Sequence, residues 1–169
     1  TVFVIVMIVI VNLVFYKLDL SVDLSSGQMF TLSAETKEIL KKVDEKVSIY
    51  YMVQDGSEEE YIDRVLRRYG KETDKVKVIK KDPIVYPEFA AKYVDDTISN
   101  NDVIVVNETT GAARYVSGEE MYYSTADYSS YSYEYFLDVE GQITSALSYV
   151  QSGETSKMYV LGGHGETAL

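Results

Sequence analysis

The chain has no cysteine and a single histidine among its 169 residues, and its 27 acidic residues outnumber the 16 lysines and arginines. Without cysteine it cannot carry a disulfide framework, a thiolate zinc site or a Cys-x-x-Cys redox centre. The formal net charge of −11 argues against nucleic acid as a partner, because its phosphates would be repelled, and against a folded part lying on an anionic membrane surface. The length suits one domain with a substantial core.

The first segment is an apolar run, VFVIVMIVIVNLVFY from Val2 to Tyr16, with Asn12 as its only polar residue. A buried strand is one alternative, but strands typically last about 5–6 residues. A signal peptide is another, but no small-residue cleavage site follows. The run is shorter than the roughly 20 residues of a membrane span, and no initiator methionine precedes it. We therefore expect a transmembrane anchor over residues 1–18 that is truncated at its start.

The flank of the apolar run bears on topology. Lys17 is followed by Asp19 and Asp23, which is a poor cytoplasmic signal under the positive-inside rule. This pattern predicts a single-pass protein of the cell membrane with its bulk on the extracytoplasmic side. Residues 19–32 then form a polar connector, and residues 33–169 form the extracytoplasmic domain.

Helical and strand patterns alternate through that domain. Ser33 is a good N-cap for the helix AETKEILKKV, KVSIYYMV is a strand, and DGSEEEYIDRVLRRYG is the clearest helix. KVKVIKKDP, DVIVV, ARYV and KMYVLGG are further strands, with ARYV pairing beside DVIVV, and EGQITSALSYV is the last helix. This alternation predicts a layered α/β fold with a mostly parallel sheet and flanking helices.

Five segments in this order carry a resemblance: DLSSGQMFTLSAETKEIL, KVSIYYMV, KVIKKDPIVYPEF, EGQITSALSYV and YVLGGHGE. The chain resembles the Gldg-like, gliding-motility-type auxiliary proteins of ABC transporters. The resemblance implies a membrane-anchored accessory component that acts by binding and coupling, with an ABC permease and ATPase as its partners. It also implies that the natural protein continues beyond Leu169, and it identifies no substrate.

The closing GGHGE segment offers three chemical interpretations. As metal ligands, His164 and Glu166 are too few, because zinc usually takes three or four protein groups. As a catalytic base, His164 lacks a serine in a G-x-S-x-G elbow. As a phosphate cradle, the glycines Gly163 and Gly165 fit G-x-G-x-x-A, but Glu166 would place negative charge near a pyrophosphate, and the acidic residue expected about 20 positions later lies beyond the end of the chain.

A structural turn accounts for the same residues more simply. Gly163 and Gly165 allow a strand to turn sharply into a helix, and His164 and Glu166 project at the strand's carboxyl end, where ligands bind in open α/β sheets. We therefore expect a turn at a position able to contact a ligand or partner, with no metal site, no cofactor and no catalytic set. A hydrolase or metal-dependent enzyme using GGHGE remains the alternative.

The second candidate site is the tyrosine-rich stretch YYSTADYSSYSYEYF, residues 122–136, which departs from the family pattern. Tyrosine and serine supply rigid contact area and adaptable hydrogen bonds, as in binding loops, so Tyr128, Tyr131 and Tyr133 are candidates for contacting a partner, a solute or a glycan. The structural alternative is an exposed hairpin or loop in which Tyr131, Tyr133 and Tyr135 cover one face.

Overall fold

The computed structural model describes residues 2–18, 31–95, 97–127 and 132–152. The chain divides into two compact units, Thr1–Thr31 and Leu32–Leu169. The first unit contributes one helix, α1 (Val2–Leu18). The second unit contains the sheets and the remaining helices.

Helix α1 has the helical conformation that the apolar run predicts, but not the length of a membrane span. At about 1.5 Å per residue its 17 residues extend roughly 25 Å, whereas the hydrocarbon core of a bilayer is about 30 Å thick. Among the helices of the described ranges, none combines the length and apolar character that crossing a membrane requires. The predicted transmembrane anchor over residues 1–18 is therefore wrong, as is the single-pass membrane localisation that depended on it.

The second unit follows the order helix, strand, helix, strand, then a short helix and four more strands before its last helix. The elements are α2 (Ala34–Lys41), β1 (Val47–Met52), α3 (Glu60–Glu72), β2 (Val76–Lys81), α4 (Pro87–Ala90), β3 (Asp102–Asn107), β4 (Ala113–Val116), β5 (Tyr122–Asp127), β6 (Ser132–Leu137) and α5 (Val139–Ser152). A single turn of 3₁₀ helix, Glu119–Met121, connects β4 to β5.

The helix starts follow from local chemistry. Ser33 caps α2 as predicted, because its hydroxyl accepts a hydrogen bond from Thr36 N at 3.1 Å. Glu59 caps α3 in the same way, with its carboxylate accepting from Ile62 N at 2.9 Å. An acidic group at this end is also favoured by the helix dipole. Both caps satisfy backbone donors that a helix start would otherwise leave unpaired.

The main sheet has four strands in the order β2-β1-β3-β4. Strand β1 pairs in parallel with β2, whereas β3 is antiparallel to both β1 and β4. Strands β5 and β6 form a separate two-stranded antiparallel sheet. The predicted mostly parallel sheet is therefore wrong: the sheet is mixed. Pairing of ARYV with DVIVV is confirmed as β3–β4.

The reason lies in the connections between strands. The chain crosses from β1 to β2 through the 13-residue helix α3, which is long enough for a parallel crossover. The next connection, from β2 to β3, contains only the four-residue helix α4. The chain then re-enters the sheet in the opposite direction beside β1. Alternating strands and helices in the sequence do not specify this reversal.

The sheet separates two apolar clusters. Ile49, Tyr51, Val103 and Val105 belong to the larger cluster, which includes the buried faces of α2, α3 and α5. Met52, Ile104 and Val106 belong to the smaller cluster with Ala90 of α4. Alternation along β1 and β3 sends successive side chains to opposite faces, so a central strand such as β3 is buried at all six positions.

Strand direction gathers several connections at one edge. Because β3 is antiparallel to both neighbours, β1, β2 and β4 all run the same way. Their carboxyl ends therefore meet at one edge of the sheet. The start of α3, the turn that leads to α4 and the 3₁₀ turn before β5 all follow that edge.

Candidate binding surface

Most of the residues singled out in the sequence lie outside the described residues. These are Gly163, His164, Gly165, Glu166, Tyr128 and Tyr131. The turn, metal and phosphate interpretations of GGHGE therefore stay predictions. Tyr133 is described and lies in β6, so the tyrosine-rich stretch can be analysed through its two strands.

Within that stretch β5 and β6 pair as the two strands of a β-hairpin, with Tyr122 opposite Leu137, Tyr123 opposite Phe136 and Ala126 opposite Tyr133. Residues directly opposite each other in an antiparallel pair have their side chains on the same face. Tyr123 and Phe136 thus share one face, and Tyr122 and Leu137 share the other. The hairpin carries large apolar side chains on both faces.

These side chains are exposed. The exposed fractions are 45% for Tyr122, 53% for Tyr123, 67% for Tyr133, 39% for Phe136 and 36% for Leu137. The rings of Tyr123 and Phe136 stack with centroids 5.2 Å apart and planes inclined by 19°. Such a pair contributes about 0.5–1.5 kcal/mol beyond its buried area. It also leaves an extended apolar surface facing solvent, which we call the hairpin surface and define by these five residues.

The base of the hairpin is fixed in the core. Met121, just before β5, and Val139, just after β6, are both fully buried. Between them, Asp138 N donates to Met121 O at 2.8 Å. Each strand of the hairpin is therefore connected to a buried residue, so the hairpin surface is attached to the core at its base.

The buried carboxylate of Asp102 binds the segment of chain that leads to the base of the hairpin. Asp102, only 2% exposed, accepts hydrogen bonds from Gly118 N at 2.7 Å, Ser99 N at 2.7 Å and the Tyr115 hydroxyl at 2.9 Å. It thereby joins the start of β3 to the residue that begins the 3₁₀ turn. Charge-assisted hydrogen bonds of this kind are stronger than neutral ones.

A second polar cluster lies at the start of α3. The Tyr51 hydroxyl donates to Asn101 Oδ1, and Glu59 N donates to the same amide oxygen at 3.0 Å. Asn101 has a φ of 73°, a conformation that asparagine tolerates better than most residues. Burial raises the pKa of Tyr122 in the hairpin surface, and the Glu59 carboxylate raises it further.

Ion pairs lie near the same edge of the sheet. Lys80 Nζ lies 2.8 Å from a carboxylate oxygen of Glu58 and 2.8 Å from one of Asp63. The hydrogen bond from Lys80 holds the pKa of the Glu58 carboxyl below its usual value. All three side chains are in contact with solvent, where such pairs contribute little to stability.

Across the described ranges, no group of three or more His, Asp or Glu residues could hold a metal ion. What this part of the chain does offer is the exposed apolar hairpin surface, with the buried Asp102 carboxylate near its base.

Residues 26–118, more than half of the chain, match the family described as Domain of unknown function (DUF7088). The chain belongs to the DUF7088 family. No curated protein and no solved structure matches it. The family description names no function, so the transporter and transmembrane terms inferred from the sequence receive no support from it. The DUF7088 match extends over β1 to β4 and ends at Gly118, so the hairpin surface follows it.

Sequence reasoning missed the Asp102 cluster, which belongs to the DUF7088 segment. Asp102 was interpreted only as the first residue of a strand. One signal was present in the sequence. Asp102 directly precedes the apolar run VIVV, and a charged residue that is buried with such a run needs hydrogen-bond partners. Its partners Ser99, Tyr115 and Gly118 come from both sides in sequence, and the spacing of the residues alone does not identify them.

Proposed function

We propose that this chain is a protein-contact module that binds a partner through the hairpin surface. The observation that carries the proposal is the exposure of five large apolar side chains on a two-stranded sheet with a buried base. A two-stranded hairpin is marginally stable by itself, and exposed aromatic residues do little for its folding. Tyrosine and phenylalanine are, however, enriched at the centres of protein interfaces.

The shape of the surface suits a partner that covers both faces or one edge. Because the Tyr123–Phe136 stack lies on one face and Tyr122 and Leu137 lie on the other, a partner that buries only one face leaves the second exposed. Truncation of an interface tyrosine at a hot spot costs on the order of 2 kcal/mol or more. One or two ring contacts are therefore sufficient to decide whether a complex forms.

The resemblance of the five sequence segments supports an ABC permease and ATPase as the partners. In this proposal the domain is an auxiliary component that binds and couples, without chemistry of its own. The transport assignment rests on the resemblance, whereas the contact surface rests on geometry. The two parts can therefore fail separately.

The test is capture of a tagged chain from its own cells, with the captured proteins identified by mass spectrometry. The double substitution Tyr123→Ser with Phe136→Ser removes the exposed stack. As a matched control, Ile84→Ser with Val85→Ser removes two side chains that are 71% and 62% exposed elsewhere on the domain. We expect the hairpin variant to lose the permease and ATPase while its melting temperature falls by no more than about 6 °C, and the control to retain them.

The outcomes separate the two parts of the proposal. Loss of a captured partner other than a permease or ATPase would keep the contact surface and overturn the transport assignment. Equal capture by the hairpin variant, the control and the parent would overturn the contact surface itself.

The stacked rings also favour a second candidate, a glycan-binding surface. Two nearly parallel aromatic rings, Tyr123 and Phe136, offer flat apolar faces of the kind on which a sugar ring can lie. Saturation-transfer NMR with a panel of neutral oligosaccharides tests this function. A signal that disappears in the Tyr123→Ser, Phe136→Ser variant supports it, and no signal with any oligosaccharide would exclude it for that panel.

A further inference from the structure

Three aromatic rings surround one ammonium group on the sheet face opposite α2, α3 and α5. Lys81 Nζ lies 4.6 Å from the ring centroid of Phe89, 4.7 Å from that of Tyr86 and 5.9 Å from that of Tyr50. All three distances are within the range of about 6 Å in which a cation is attracted to the face of a ring. We call Tyr50, Tyr86 and Phe89 the aromatic cage.

The cage is built on ordered backbone. Asp82, the residue after Lys81, accepts hydrogen bonds from Ile84 N at 2.8 Å and Val85 N at 3.3 Å through its carboxylate. Its carbonyl oxygen also accepts one from Tyr86 N at 3.0 Å. This turn places Tyr86 directly before Pro87, the first residue of α4. The proline's fixed φ suits the first turn of a helix, which in turn positions Phe89.

The aromatic rings also contact each other. Tyr50 and Phe89 have centroids 4.5 Å apart with planes inclined by 57°, and Phe89 meets Tyr93 at 5.4 Å and 61°. The Tyr50 hydroxyl donates to Glu108 Oε1 at 3.0 Å. That bond fixes one wall of the cage and places a carboxylate beside it. The surroundings of the cage therefore favour a cation, as does the net charge of −11.

Lys81 differs from the lysine before it. Lys80 forms ion pairs with Glu58 and Asp63, whereas in the part of the chain that the structure describes Lys81 forms no ion pair and directs its ammonium toward the rings. A primary ammonium is compact and strongly hydrated. An alkylated ammonium is less hydrated, and aromatic cages bind such ions in preference.

We propose that the aromatic cage is a binding site for an alkylated ammonium group, and that Lys81 occupies it until such a ligand displaces the lysine. The group could belong to a free quaternary amine or to a methylated lysine of a protein, since both present the same cation. Lys81 is the last residue of the edge strand β2, so its side chain can leave the cage without disturbing the strand pairing. The site is independent of the hairpin surface.

The experiment titrates tetramethylammonium chloride into the whole chain and follows the ring resonances of Phe89 and Tyr86 by NMR, with sodium chloride at equal concentration as the reference. Lys81→Gln removes the competing ammonium. We expect it to lower the dissociation constant roughly two- to fivefold, the factor that corresponds to an exposed cation–π contact. Lys81→Arg keeps a cation in the cage and should bind no more tightly than the parent.

Two further variants make the result specific. Lys77→Gln removes a positive charge from an exposed position on the same strand, so it should leave binding unchanged. Tyr86→Ala, combined with Lys81→Gln, removes a cage wall that is 50% exposed and should weaken binding. If Lys81→Gln proves unstable, Lys81→Met gives the same comparison with an apolar side chain of similar length.

The source of the cation is resolved by running choline and a trimethyllysine peptide in parallel. Equal affinity for the two indicates a free amine, and tighter binding of the peptide indicates a methylated protein. Absence of a saturable ring shift with tetramethylammonium in both Lys81→Gln and Lys81→Met would overturn the proposal. An unchanged affinity in the Tyr86→Ala double variant would do the same.

Discussion

The substitution Asp102→Asn tests whether one buried carboxylate organises the approach to the hairpin. Its two oxygens accept three hydrogen bonds, from Ser99 N, the Tyr115 hydroxyl and Gly118 N. An asparagine at this position has one oxygen and one NH₂ group. Whichever way the amide is oriented, its NH₂ group faces at least one backbone N–H, which is also a donor.

The expected loss follows from that mismatch. Leaving a buried donor unsatisfied costs about 1–3 kcal/mol, and hydrogen bonds to a charged group contribute about 1.5–3 kcal/mol each. With one bond lost and the other two weakened by removal of the charge, we expect the free energy of unfolding to fall by about 2–4 kcal/mol. In a chain of this size that corresponds to a fall in melting temperature of roughly 4–16 °C.

The assay is urea denaturation followed by far-UV circular dichroism, with two reference variants. Asp55→Asn changes an exposed aspartate and should alter the free energy of unfolding by less than about 0.5 kcal/mol. Tyr115→Phe removes only one of the three donors and should cost about 1 kcal/mol. The reasoning is refuted if Asp102→Asn destabilises the protein no more than Asp55→Asn does.

Three other perturbations follow from the same structure. Burial raises the pKa of Glu140, but hydrogen bonds from Thr36 and Ser33 outweigh this effect and hold the pKa below its usual value. The stability that this group contributes is present above the pKa of the carboxyl in the unfolded chain and is lost as pH falls through the lowered pKa. Glu140→Gln should therefore flatten the acid side of a stability–pH curve, and an unchanged curve would contradict this. Deleting residues 1–18 should leave the melting temperature unchanged, because every core residue whose burial the structure describes lies at Leu32 or beyond. An unfolded product would show that the segment belongs to the core. Tyr51→Phe removes a hydroxyl that is hydrogen-bonded at the start of α3 and should lower the free energy of unfolding by about 1–2 kcal/mol in urea denaturation. A loss smaller than the one measured for the same substitution at an exposed tyrosine would contradict the role of this cluster.

Local structure followed closely from the sequence. The spacing in EGQITSALSYV predicts that Ile143, Ala146, Leu147 and Val150 share one apolar face, and all four are buried in α5. Their spacing repeats at helical intervals, so a single amphipathic face determines both the helix and its packing. The same spacing in DGSEEEYIDRVLRRYG predicts a buried stripe of Tyr61, Ile62, Val65, Leu66 and Tyr69, of which all but the partly buried Tyr61 are buried in α3.

Strand direction did not follow in the same way. The apolar run DVIVV predicts a strand, and the structure shows that β3 is central and buried at all six positions. Burial on both faces is equally compatible with a parallel or an antiparallel neighbour. The direction depends on the chain between Asp82 and Asn101, whose short helix covers the second face of the sheet.

The candidate sites could likewise be predicted from the sequence only in part. An excess of tyrosine signals contact chemistry, and Tyr133 is exposed, but its role as a contact residue stays a prediction. Phe136 and Leu137 were not singled out, because their place on the hairpin surface depends on the register that pairs them with Tyr123 and Tyr122. The aromatic cage was missed for a related reason: Tyr50, Lys81, Tyr86 and Phe89 come together only through the parallel pairing of β1 and β2.

The most direct test of the contact proposal is site-specific photocrosslinking from the hairpin surface. A benzoylphenylalanine placed at Tyr133, which is 67% exposed, is compared in living cells with one at Lys77, an exposed position on β2. We expect a discrete crosslinked partner from position 133 that is absent from position 77 and is lost when Tyr123→Ser and Phe136→Ser are added. The same crosslinks from both positions, or none from position 133 in cells that contain the whole protein, would contradict it.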